Sequence, residues 1–168
     1  MLGCVGLIGG GGLMAEPNPK ELFNLGVKSN KAKDYIQAKK YFEKACDLKY
    51  GGGCGNLGVL YQKGEGVEKN LIKAAYFYSK ACDLKEGLGC FNLGALYYNG
   101  KGVEKDLTKA AYFYSKACDL KEGLGCFNLG ALYYNGKEVE KDLTKAAYFY
   151  SKACKLGSQE ACEALKEK

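Results

Sequence analysis

The sequence contains no histidine, no arginine and no tryptophan, and only two prolines and two methionines in 168 residues. Without histidine there is no Ser-His-Asp or Cys-His pair and no imidazole ligand for a metal. Without arginine there is no bidentate guanidinium fork for phosphate, and all 25 basic residues are lysine. The net charge of +6 is spread among acids, as in "GVEKDLTK" (Gly102 to Lys109). That interleaving reads as a solvated face rather than a nucleic-acid stripe. No cofactor and no nucleic-acid partner are expected.

What the chain does have is repetition. Residues 73–108 recur at 109–144 with one change, Gly102 to Glu138, and weaker copies in the same register occupy 37–72 and 145–168. The period of 36 lies in the range of helical-pair solenoids. In "LTKAAYFYSKACDL" (Leu107 to Leu120), Leu107, Ala110, Ala111, Tyr114, Ala117 and Cys118 fall on one helical face, with Asp106 at the N-cap position. In "GCFNLGALYYNG" (Gly89 to Gly100), Cys90, Leu93, Gly94 and Tyr97 form a second stripe that stops at Asn99-Gly100. Gly94 recurs at Gly26, Gly58 and Gly130, which predicts a helix approach too close for a Cβ. The "YFY" runs read as mostly packing between units.

The predicted fold is all-α: a right-handed α/α solenoid of four helical pairs, over 19–48, 52–84, 88–120 and 124–155, with a cap at 158–168 in which Ser158 starts a helix over Gln159 to Lys166. Residues 16–168 form one domain. Residues 1–15, "MLGCVGLIGGGGLMA", are apolar, glycine-rich and too short to span a bilayer; the small residues before "EPNPKE" read as a degenerate signal peptide whose loss would remove Cys4.

The other eight cysteines form four Cys-x7-Cys pairs: Cys46/Cys54, Cys82/Cys90, Cys118/Cys126 and Cys154/Cys162. Each first cysteine ends one helix and each second begins the next, so a tight turn brings them within disulfide reach. Zinc sites favour shorter gaps between paired ligands, whereas reduced core cysteines remain an alternative because both positions lie on apolar stripes. Disulfides persist outside the reducing cytosol, which agrees with a secreted or periplasmic protein.

"NLGALYYNGKGVEKDLTKAAYFYSKAC" (Asn92 to Cys118) resembles the Sel1-like repeat, a relative of the tetratricopeptide repeat. The period and the cysteine spacing narrow the resemblance to the Helicobacter cysteine-rich proteins, over about residues 20–166. The resemblance implies a secreted, disulfide-bridged solenoid, penicillin binding with slow β-lactamase activity, and host interaction. This chain departs from that family in its small number of repeats and its uncharged signal segment.

Catalytic motifs do not accompany the resemblance. None of Ser29, Ser79, Ser115, Ser151 and Ser158 is followed three residues later by lysine, and K-T-G and S-D-N are absent. The catalytic residue is therefore unassigned. The resemblance also implies that the first helix of each pair lines a concave groove. The expected groove residues are Phe91, Tyr98, Phe127 and Tyr134, with a ladder of Asn24, Asn56, Asn92 and Asn128 placed to pair with an extended peptide backbone. The alternative is that each asparagine satisfies backbone near its own helix start. Expected occupants are an extended peptide, a peptidoglycan precursor or a β-lactam, on a monomer; a host or envelope protein on the outer face is a further possible partner.

Overall fold

The computed structural model describes residues 17–167. The predicted signal segment, 1–15, and Cys4 lie outside the described residues. Among the described residues there are nine helices and no strand: α1 (Pro19–Lys31), α2 (Tyr35–Asp47), α3 (Gly51–Lys63), α4 (Leu71–Asp83), α5 (Gly87–Asn99), α6 (Leu107–Asp119), α7 (Gly123–Asn135), α8 (Leu143–Lys155) and α9 (Gln159–Lys166). Each helix packs mainly on its neighbours in sequence, which makes the molecule an antiparallel-pair solenoid.

The helix starts follow capping chemistry. Asn70, Asp106 and Asp142 accept from the backbone N–H three residues on, at 3.0 Å each, and Ser158 does the same for α9. Asn18 and Glu21 form a reciprocal capping box around Pro19. Helices α3, α5 and α7 end on Gly64, Gly100 and Gly136, all left-handed.

A single register of residues fills the interior of every unit. Phe42, Tyr78, Tyr114 and Tyr150 are all buried, and each meets a helix of the same pair at a glycine. At Gly94 an added Cβ would stand 2.9 Å from the Tyr114 ring and 3.3 Å from the Ala110 carbonyl oxygen. The helix keeps glycine there, at about 1 kcal/mol of lost propensity, because the ring needs the space.

All four cysteine pairs are disulfides, Cys46–Cys54, Cys82–Cys90, Cys118–Cys126 and Cys154–Cys162, with Cα separations of 4.6–4.8 Å. Each joins the second helix of one unit to the first helix of the next. The reduced-core alternative is thereby set aside, although the apolar-stripe reading was sound: Cys54, Cys90 and Cys126 have no exposed surface at all.

The packing expected of the "YFY" runs holds for two residues of each three, the middle phenylalanine stacking on a tyrosine of the preceding helix. Only the third residue of each "YFY" run packs fully between helices. The first residues, Tyr76, Tyr112 and Tyr148, are 56–57% exposed. The physical reason is angular: successive helical positions are about 100° apart, so three consecutive aromatics cannot share one buried face.

Candidate functional site

Helices α1, α3, α5 and α7 present one face of the stack, and two cavities lie along it at opposite ends of α5. The first holds about 230 Å³ between α3 and the start of α5; Phe23, Val59 and Leu88 supply its apolar walls, with Asn56, Asn92 and Glu86 at its edge. The second holds about 330 Å³ between the end of α5 and α7. Its walls mix apolar Ala95, Ala131 and Leu132 with the polar groups of Tyr98, Asn99, Asn128, Asn135, Lys137 and Tyr114 of α6, which makes it the more polar of the two.

The two cavities differ in chemistry. One couples an apolar pocket to a carboxylate; the other couples amides and phenols to an ammonium. Leu88 and Tyr98 are ten positions apart on α5, about 15 Å of helix at 1.5 Å per residue.

Tyr114 is the floor of the polar cavity. Burial pushes its phenol above the ordinary tyrosine value; the Asn128 amide, hydrogen-bonded to it, opposes that shift, and nearby Tyr98 adds to it. A phenol held this way stays neutral at pH 7 and acts as a hydrogen-bond donor, not as a nucleophile. Tyr78 occupies the same register one unit earlier, and its hydroxyl donates to Oε1 of Gln62.

The expected groove residues divide into three groups. Asn56 and Asn92 share the apolar cavity, and Asn128 shares the polar one with Tyr98. Asn24 is exposed and borders neither cavity, and Tyr134 is 44% exposed outside both. Phe91 and Phe127 are half-buried, tilted against Tyr114 and Tyr150 at 5.7 and 5.4 Å between ring centres. The asparagine positions are chemically unequal. Asn56 donates its side-chain N–H to the Gly52 carbonyl at 3.1 Å, the local backbone use named above as the alternative, whereas Asn128 faces a tyrosine of another helix.

Sequence reasoning missed Tyr114, Glu86, Leu88 and Lys137. For Tyr114 a signal existed: a buried tyrosine requires a partner for its hydroxyl, and tyrosine recurs at 78, 114 and 150 where phenylalanine would fill the core equally well. Glu86 and Lys137 sit in turns beside the helices, where periodicity carries no information.

The sequence matches the family model of the Sel1 repeat over residues 22–50, 53–86, 87–122 and 123–158. The chain belongs to the Sel1 repeat family. HcpC of Helicobacter pylori strain J99 is 68% identical over 68 residues, 40% of this chain and 23% of that protein. "Beta-lactamase HcpA" of the same strain is 54% identical over 68 residues, 40% of this chain and 27% of that protein. The matched segment thus spans about a quarter of those curated relatives.

Among solved structures, a Sel1 repeat protein from Oxalobacter formigenes superposes with a TM-score of 0.84 at 26% identity, covering 92% of this chain and 66% of that one. Helicobacter pylori cysteine rich protein B superposes with a TM-score of 0.65 at 43% identity, covering 79% of this chain and 96% of that one. Within the Sel1 repeat family this chain therefore groups with the Helicobacter cysteine-rich proteins.

Proposed function

We propose that the protein is an exported binding scaffold whose concave face holds a short extended peptide, of the kind that forms a peptidoglycan stem. The observation that supports it is the pair of unlike cavities at the two ends of α5. A strand rises about 3.3 Å per residue, so roughly four or five extended residues reach from one cavity to the other. An apolar side chain suits the Phe23, Val59 and Leu88 walls, and a carboxylate suits Lys137, Asn128 and the neutral Tyr114 hydroxyl. Four disulfides support export, because they persist outside the reducing cytosol. Among the described residues, no helix is long and apolar enough to cross a membrane.

The test is titration of the oxidised protein with a labelled pentapeptide stem bearing a free carboxylate. Asn128→Ala and Lys137→Gln should each weaken capture about tenfold, the loss of one charge-assisted hydrogen bond. Unchanged affinity in both variants would sink the reading.

A second reading, slow β-lactam hydrolysis, is favoured by the naming of the HcpA relative. A β-lactam mimics the end of a stem peptide, so the same polar cavity suits it. The neutral Tyr114 would then polarise the lactam carbonyl while a water attacks, which accounts for catalysis without a serine motif and for a low rate. Saturable turnover of a chromogenic cephalosporin by the oxidised protein, lost in Tyr114→Phe, is the expected result. Turnover indistinguishable from buffer would leave the cavity as a binding site alone.

A further inference from the structure

Outside the two cavities, the chain carries a five-residue arrangement in three copies, none of whose residues lines either cavity. In the first, Lys73 lies over the Tyr61 ring at 5.4 Å, and Tyr61 stacks on Phe77 at 5.6 Å and 11°. Phe77 meets Tyr76 edge-on at 5.0 Å, and Lys80 lies over Tyr76 at 5.5 Å. The order Lys109, Tyr97, Phe113, Tyr112, Lys116 repeats this within 0.1 Å in every distance. Lys145, Tyr133, Phe149, Tyr148 and Lys152 form a third copy, with the lysines at 5.2 and 5.6 Å from their rings and the stacked pair at 5.9 Å.

Two features of these modules have no role in the fold. The outer rings, Tyr76, Tyr112 and Tyr148, are more than half exposed, where a core role would bury them. Their lysines are also uncompensated. Among the described residues the one ion pair is Lys39–Glu43, so none of the six module lysines has a carboxylate within 4.0 Å. Each module is an exposed phenol ring with an ammonium over it, and the chain presents it three times at one repeat interval.

We propose that these modules bind an acidic polysaccharide, a glycan chain with a carboxylate at regular intervals. The C–H face of a sugar ring packs on the exposed tyrosine, and its carboxylate meets the adjacent lysine. The periodicity selects the partner class: three identical modules suit a polymer that repeats one group, whereas an acidic protein segment offers an irregular series of carboxylates. The lysine that covers each ring also holds the cation in place before binding, which lowers the ordering cost. One module binds weakly, and three joined on a rigid stack bind a long chain through effective concentration. This site is separate from the cavities of the concave face and stands or falls independently of them.

The test uses the full oxidised chain titrated with polygalacturonate, its trimer, polyglutamate of matched charge, and neutral dextran. Polygalacturonate should bind at least about tenfold tighter than its trimer or polyglutamate, as multivalent engagement of a periodic ligand requires. Tyr76→Ala, Tyr112→Ala and Tyr148→Ala together should reduce that affinity about tenfold or more, for the same reason. Those rings are exposed, so the fold is retained, and far-ultraviolet circular dichroism checks it. The control removes the same number of charges as Lys80→Gln, Lys116→Gln and Lys152→Gln, but from the turns: Lys49→Gln, Lys85→Gln and Lys121→Gln. The module lysine set should lower affinity much more than the turn set. Equal loss in the two sets would overturn the proposal, since it would reduce binding to net charge. Polyglutamate binding as tightly as polygalacturonate would overturn it in favour of an acidic protein partner, and binding of neither would overturn it outright.

Discussion

The hydroxyl of Tyr78 donates to Oε1 of Gln62, tying the second helix of a pair to the first. In the first unit the same two positions hold Phe42 and Asn30. Phe42 has no hydroxyl to give, and the Oδ1 of Asn30 is buried without a hydrogen-bond partner. The register is fixed by the glycines: Gly26 faces Phe42 as Gly58 faces Tyr78. Installing Asn30→Gln and Phe42→Tyr together should therefore recreate the missing bond. A double-mutant cycle in urea should give a coupling of about 1 kcal/mol, the net worth of one buried hydrogen bond.

Glu138 is the single residue that distinguishes two otherwise identical 36-residue stretches, and it takes φ 58° where its counterpart Gly102 takes 75°. A side chain in the left-handed region is disfavoured by roughly 1 kcal/mol relative to glycine. Glu138→Gly should raise the thermal midpoint, with no change in the spectrum of the folded state. A lower midpoint would mean that the carboxylate makes a compensating contact.

Much of this architecture was legible in the sequence, for identifiable reasons. The cap at Asp106, the stop at Gly100 and the glycine-for-ring exchange at Gly94 are each local, and repetition multiplied every weak signal. The turns that join units were less legible. Lys49, Lys85 and Lys121 adopt φ of 64–67°, positions where sequence reasoning expects glycine, and only Gly157 conforms. Backbone bonds such as Glu86 N–H to Ala81 O, at 2.9 Å, and the adjacent disulfide hold these turns, so tertiary restraint overrides local preference. The cavities were the least legible part. Asn24 and Asn128 are equivalent as letters, but the unit before Asn128 puts Tyr98 and Tyr114 beside it, and Lys137 follows at the end of its own helix.

Each disulfide closes a loop of eight positions, worth about 2.5 kcal/mol in chain entropy. Replacing Cys118 and Cys126 together by alanine should destabilise the protein by about that amount. Because stability in a stack is passed between neighbours, calorimetry should also show the single transition broadening or splitting at that junction. A uniform shift without broadening would mean that the stack unfolds as one unit despite the lost link.

Burial raises the phenol pKa values of Tyr78, Tyr114 and Tyr150 above the ordinary value. The unfolded chain therefore releases these protons first as pH rises. Stability should be fully present below pH about 10 and should fall as pH climbs through the folded-state values. Tyrosinate absorbance should include a late phase, from these three rings, that coincides with loss of helical signal. A single phase with helicity intact would contradict the burial.

The disulfides join positions that recur at the same place in every period, which has a hereditary consequence. Suppose two copies of the coding stretch misalign by one period and exchange anywhere, even between the codons for Cys82 and Cys90. The product still pairs one cysteine from the left copy with one from the right, eight positions apart, and no orphan thiol arises. Length can therefore drift by whole periods in either direction without a misfolded intermediate generation.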